Sequence, residues 1–239
     1  MNASEPASDA HAATDVLSLV RLLHLASPAL PIGAYSYSQG IEWMIDSRSI
    51  RDAPAASQWI GDMLEIVVAD GEAAVLHRLH VAVGRGDHAT FRRWSAWHRA
   101  SRESRELRAE TEQMGASLVG LVIDLGVLDA AGVALAASVA PITLPSAFAL
   151  ACCALGVNVE ASLTGYVMSW LENQVLVAIK ALPLGQVAGQ RMLLALGARI
   201  PAVVARASTL ADDDVASFAP GLALASARHE AQYSRLFRS

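Results

Sequence analysis

Residues Leu22 to Glu42 read LLHLASPALPIGAYSYSQGIE, and they break a helical pattern that holds along nearly all of the remaining chain. An apolar run ends near Ala26, and Pro28 and Pro31 follow at once. Each proline removes a backbone donor and pushes the residue before it, Ser27 or Leu30, out of the helical region, so a helix must stop here. A new start is predicted just beyond. Ser36 and Gln39 have the spacing of a capping box, in which the serine oxygen accepts from the third helical N–H and the glutamine reaches back. Tyr35, Tyr37 and Ser38 are then held on a proline-framed turn. The local pattern leaves two readings open: hydroxyl-bearing aromatics presented as a surface, or tyrosines packed inward on a connecting loop.

Outward from this stretch, composition predicts the fold class. The chain has 239 residues, 54% hydrophobic and 17% charged, with 5% aromatic. Abundant alanine and leucine with little β-branched alternation favour helices throughout. We expect an all-α, single globular multi-helix domain of about ten helices over residues 14–230. A disordered tail over 1–13 precedes it, and a segment over 231–239 follows. The net charge of −5 argues against a nucleic-acid partner. Cys152 and Cys153 are adjacent, so no disulfide framework is implied. The first residues lack the basic-then-apolar order of a secretory signal, and a cytoplasmic protein is expected. Ala130 to Val159 carries no charge and exceeds the roughly 20 residues of a membrane span. Pro141 and Pro145 divide it, so two buried helices joined by a turn are expected and no membrane partner.

Along the chain, Thr14 or Asp15 is a candidate cap for a first helix ending at Ala26. A turn over Asp46 to Pro54 precedes a long helix capped by Ser57 and running from Gln58 to about Val83. Asp70, Glu72, His77 and His80 lie on it, but their spacing fixes no third ligand, so no metal site is expected. From Arg105 to Leu121 an apolar stripe of Leu107, Thr111, Met114, Leu118 and Leu121 recurs at helical spacing. Arg102/Glu106 and Arg108/Glu112 read as i, i+4 pairs on a solvated face. Lys180 is the only lysine, against seventeen arginines. Where arginine serves for every generic charge, two readings of the retained lysine stay open: chance, or a need for a compact ammonium. The final segment is basic yet carries Tyr233, Leu236 and Phe237. Frayed ends do not spend such side chains on water, so this tail is expected to order on a partner.

Four strings, in order, resemble the signatures of one family. They are SPALPIGAYSYSQGIE (Ser27–Glu42), ELRAETEQMGASL (Glu106–Leu118), KALPLGQ (Lys180–Gln186) and HEAQYSRLFRS (His229–Ser239). They are similar to those of the urease accessory protein F family, UreF, over most of the chain from about Leu22 to Ser239. The resemblance implies an all-α fold, a homodimer and a nickel-insertion chaperone or scaffold. Such a protein binds the accessory protein UreD, also called UreH, and recruits the GTPase UreG to the urease apoprotein. GTP chemistry and nickel ligands then belong to UreG, so no catalytic residue, metal site or cofactor is expected here. Carried over by motif, Tyr233, Arg235, Leu236, Phe237 and Arg238 are expected at the UreD contact. Tyr35, Ser36, Tyr37, Gln39, Glu42, Lys180 and Gln186 are candidates for surfaces facing UreG and the second protomer. The other class is a small helical hydrolase. Ser36, Ser38, His24 and Glu42 contain the atoms of such a site, but no Gly-X-Ser-X-Gly elbow places a base beside the serine.

Overall fold

The computed structural model describes residues 15–239, so the expected disordered tail and the Thr14 cap lie outside the described residues. Among those residues the chain is helical, with no strand. The helices are α1 Val16–Leu25, α2 Ile41–Asp46, α3 Ala53–Met63, α4 Ala74–Gly84, α5 His88–Ala100 and α6 Arg105–Asp124. They continue as α7 Ala130–Ala137, α8 Leu144–Ala154, α9 Val159–Ala181, α10 Gln186–Gly197, α11 Ile200–Thr209 and α12 Pro220–His229. A wider, π-type segment, Leu64–Ala73, joins α3 to α4 as one continuous rod.

Short polar residues start these helices. The side chains of Asp15, Asp52, Asp87, Ser104, Asp129 and Asn158 each accept a first-turn N–H. The long rod therefore begins at Ala53, not after Ser57, because Asp52 caps it and Pro54 sits in the first turn, where its missing N–H costs nothing. The Ser36/Gln39 capping box does not form. Ser36 lies in a short 3-10 turn, Ala34–Ser36, and α2 starts after Gly40 at φ 79°. A Cβ on Gly40 would lie 3.0 Å from that of Ala225, so glycine there serves both the left-handed turn and the close approach of α12.

α9 runs through the core, burying Leu163, Val167, Leu171, Val175 and Ala178. α8 is buried on every side from Pro145 to Cys152 and packs between α4 and α6. Ala130–Val159 thus forms two short helices, α7 and α8, of which α8 is the buried one. Gln186–Thr209 is long and apolar enough, by length and composition, to cross a membrane. It is α10 and α11 meeting at Ala198 and Arg199, and it is tied to the rod by the Arg206–Asp70 and Arg199–Glu65 ion pairs.

The expected i, i+4 pairs do not form, although Arg108 stays exposed and Glu112 finds its partner at the surface. Arg102 precedes the helix and pairs with Glu72 at 2.7 Å in the interior. Glu106 turns to His229 and Arg235, and Glu112 takes Arg99 rather than Arg108. Tertiary packing won at Glu106 because α12 and the C-terminal segment cover that position, and at Arg102 because Glu72 of the rod lies against it. The stripe itself is as expected: Leu107, Thr111, Met114 and Leu118 are buried.

Candidate functional site

The polar centre of the molecule is a clasp between the Leu22–Glu42 stretch and the last residues of the chain. Glu42, buried on α2, accepts the backbone N–H of Leu236 at 2.6 Å and of Phe237 at 3.1 Å. His229, buried at the end of α12, sets Nε2 3.0 Å from Glu42 and Nδ1 2.8 Å from Glu106. Both ring nitrogens face carboxylate oxygens. Arg235 closes the row on the other oxygen of Glu106 at 2.7 Å. Farther along, Arg238 N–H donates to the Ser36 carbonyl at 2.7 Å, and Ser38 donates its N–H and hydroxyl to the Ser239 carbonyl. The tail therefore takes its path from this chain's own loop.

Beneath the loop lies a second polar layer. Gln39 donates to Glu110 at 2.7 Å and accepts from the Trp170 indole at 2.7 Å, while the Ser239 hydroxyl reaches the other Glu110 oxygen at 2.8 Å. Burial pushes the Glu110 carboxyl up to about 7, against the lowering effect of these hydrogen bonds. Glu72 gives one oxygen to Arg102 and the other to the Tyr166 hydroxyl at 2.7 Å. Burial, then the neighbouring Glu72 charge, holds the Tyr166 phenol well above its usual range.

The loop, the tail and α9 leave an open pocket of about 520 Å³. It is lined by Tyr35, Ser36, Lys180, Leu236, Phe237 and Arg238, all of them singled out in the sequence and drawn from three distant segments. Tyr35 is 57% exposed and Leu236 71%, while the buried Phe237 ring lies 5.7 Å from the Lys180 ammonium. Tyr233 is fully exposed nearby in sequence, and Gln186 is exposed at the start of α10, outside the pocket lining. Tyr37, Gln39 and Glu42 are placed differently. Tyr37 donates to Gln113 at 2.5 Å, and all three side chains bond within the chain, so they hold the surface from inside.

Two of the four hydrolase candidates are committed elsewhere, while Ser36 lines the open pocket. Ser38's hydroxyl is used by Ser239, Glu42's oxygens by the tail and His229, and His24 is exposed on α1. Burial lowers His77 and His80, and His80 faces the Val157 carbonyl at 2.9 Å. Burial also raises both cysteine thiols to about 12. No group of three or more potential ligands that could hold a metal ion occurs among the described residues.

Sequence reasoning assigned none of Glu72, Glu106, Glu110 and His229 to this interior network. A signal existed: Glu110 sits one position from Thr111 of the buried stripe, and Glu72 interrupts an apolar run on the rod. A carboxylate at a core position needs a partner.

On this all-helical chain, interior polar groups hold a composite surface in shape. A family model described as UreF matches residues 50–197. The chain is 51% identical over 229 residues to the urease accessory protein UreF of Cupriavidus metallidurans, covering 95% of this chain and all of the relative. It is 49% identical over 226 residues to the UreF of Azoarcus, covering 94% and 97%. Against the bifunctional urease accessory protein UreEF of Bordetella bronchiseptica it is 50% identical over 228 residues, covering 94% of this chain and 53% of that longer one. The chain belongs to the UreF family of urease accessory proteins.

Proposed function

We propose that the protein is a scaffold for nickel insertion into urease. It binds a UreD/UreH-type partner and recruits a UreG-type GTPase to the urease apoprotein in the cytoplasm. The observation that carries this reading is the convergence of three distant segments on one open pocket with exposed Tyr35, Leu236 and Lys180 at its rim. Aromatic and basic anchors around a concave surface suit protein recognition. Residues 14–230 form the helical body in this account, and 231–239 the partner-binding segment. Tyr233, Arg235, Leu236, Phe237 and Arg238 face the UreD-type partner. Tyr35, Ser36, Lys180 and Gln186 face the GTPase, while Tyr37, Gln39 and Glu42 preserve that face from below. Nickel is cargo here, held by ligands that the GTPase supplies. The Bordetella relative is a bifunctional urease accessory protein, UreEF, which supports a role alongside other accessory proteins.

A homodimer belongs to the same reading. Val16, Leu19, Val20 and Leu23 make an exposed apolar stripe along α1, with Leu17 beside it. Such a stripe is more apolar than a monomer's surface needs, and a self-complementary two-fold contact covers it. The test of the scaffold reading is Tyr35→Ala with Lys180→Ala, two exposed substitutions that leave the clasp intact. Urease activation and GTPase capture fall while the melting temperature holds. Full activation by this variant would overturn the assignment.

A further inference from the structure

Under the Ile32–Gln39 loop lies a chamber of about 60 Å³, separate from the open pocket above. Arg102, Glu72 and Glu110 line it together with the apolar side chains of Leu107, Met114 and Phe148. A buried water needs roughly 10–15 Å³ measured this way, so the space holds several waters or one small planar molecule. The Arg102 side chain is 4% exposed. Its Nη1 donates to Glu72, but Nε and Nη2 are buried without any hydrogen-bond partner. A desolvated guanidinium edge left open is costly, and a polar occupant would recover that cost. The Nε and Nη2 hydrogens run parallel on one edge of the guanidinium. That fork matches the two oxygens of a carboxylate.

We propose that this chamber binds a small carboxylate-type oxyanion, held side-on by the Nε–Nη2 edge of Arg102. The charges around it permit an anion once Glu110 is protonated. Arg102 balances Glu72, whose second oxygen is engaged by Tyr166. Glu110, raised to about 7, is largely neutral in mildly acidic solution. Thr111 lines the chamber too; its oxygen accepts from Leu144 N–H, and its own hydrogen remains available to a ligand. Ala34, from the loop, and Ser169 and Asn173, from α9, are partly exposed lining residues, so a small solute reaches the chamber past the loop. Organic carboxylates and bicarbonate share the required planar pair of oxygens.

The experiment titrates the full-length protein with sodium acetate and, separately, sodium bicarbonate, against sodium chloride at equal ionic strength. The NMR resonance of the Arg102 Nε–H and the melting temperature are followed. A saturable response to acetate or bicarbonate that chloride does not reproduce is expected. Acetate alone points to organic carboxylates as the source, and bicarbonate alone to dissolved carbonate. Arg102→Lys keeps the cation beside Glu72 but lacks the fork, and should weaken binding roughly tenfold. Ala34→Leu, which fills the chamber from the loop without touching the ion pair, should weaken it similarly and serves if Arg102→Lys does not fold. An equal response to chloride, no response to either anion, or unchanged binding by Ala34→Leu would overturn the proposal and leave a chamber filled with water.

Discussion

The carboxylate of Glu42 accepts the backbone N–H of Leu236 at 2.6 Å, across 194 positions of sequence. This bond, with its partner at Phe237, gives the final segment a defined path without any outside surface. A partner therefore meets a face already assembled, or displaces one.

Replacing Glu42 by alanine should free the tail without melting the helices. Two backbone N–H groups and one nitrogen of a buried histidine lose their acceptor together, a loss of about 2–4 kcal/mol for this region. Amide exchange at Leu236 and Phe237 is the measurement. Exchange should accelerate there and remain slow in α8 and α9, whereas unchanged protection would mean the clasp contributes little.

The buried Glu72–Arg102 pair sets up a sharper loss. Glu72→Ala strands a guanidinium and the Tyr166 hydroxyl in the core, at a cost of about 3–5 kcal/mol in chemical denaturation. Removing both charges as Glu72→Met with Arg102→Leu should recover most of it, because apolar groups need no partners.

Two glycines on α6 separate packing from propensity. A Cβ on Gly115 would sit 2.6 Å from the Thr143 carbonyl carbon, where only backbone could give way. Gly115→Ala should destabilise by about 3 kcal/mol and disturb the Thr111 bond to Leu144 N–H at 3.1 Å. Gly120, with nothing within 4 Å of its would-be Cβ, should instead gain roughly 0.5–1 kcal/mol as alanine. Thermal melts of the two variants moving in opposite directions would verify how closely α6 meets the start of α8.

Glu110 gives stability a pH dependence of known sign. Its folded carboxyl is raised from 4.5 to about 7, so the native state binds the proton more tightly than the unfolded chain. The stability this provides is present below about 4.5 and is lost as pH rises through about 7. Desolvation is the main cause, with Glu72 adding to the rise and Arg102, Gln39 and Ser239 opposing it. Relative to wild type, Glu110→Gln should gain on the order of 3 kcal/mol between about pH 5 and about pH 8 in denaturant titrations. A constant difference across that range would contradict the assignment.

Much of the fold was legible because periodicity, prolines and caps act locally. The helix break at Pro28 and Pro31, the α6 stripe and the division of the Ala130–Val159 run all follow from short-range rules. Local rules failed where a distant element supplied a better partner. Gln39 was drawn to Glu110 and Trp170 instead of capping α2, and Arg102 to Glu72 instead of Glu106. The pocket lining was readable as separate motifs, but which tyrosine turns inward and where Glu42 points were not, because Tyr37 is held by Gln113 of α6 and Glu42 by a tail almost two hundred residues away.

Size-exclusion chromatography with light scattering tests the scaffold account most directly. The protein is run alone, then with a UreD-type partner, then with that partner and a UreG-type GTPase. The account predicts a dimer, a two-to-two complex, and capture of the GTPase by that complex but not by one carrying Tyr35→Ala with Lys180→Ala. A monomer that binds neither partner would contradict it.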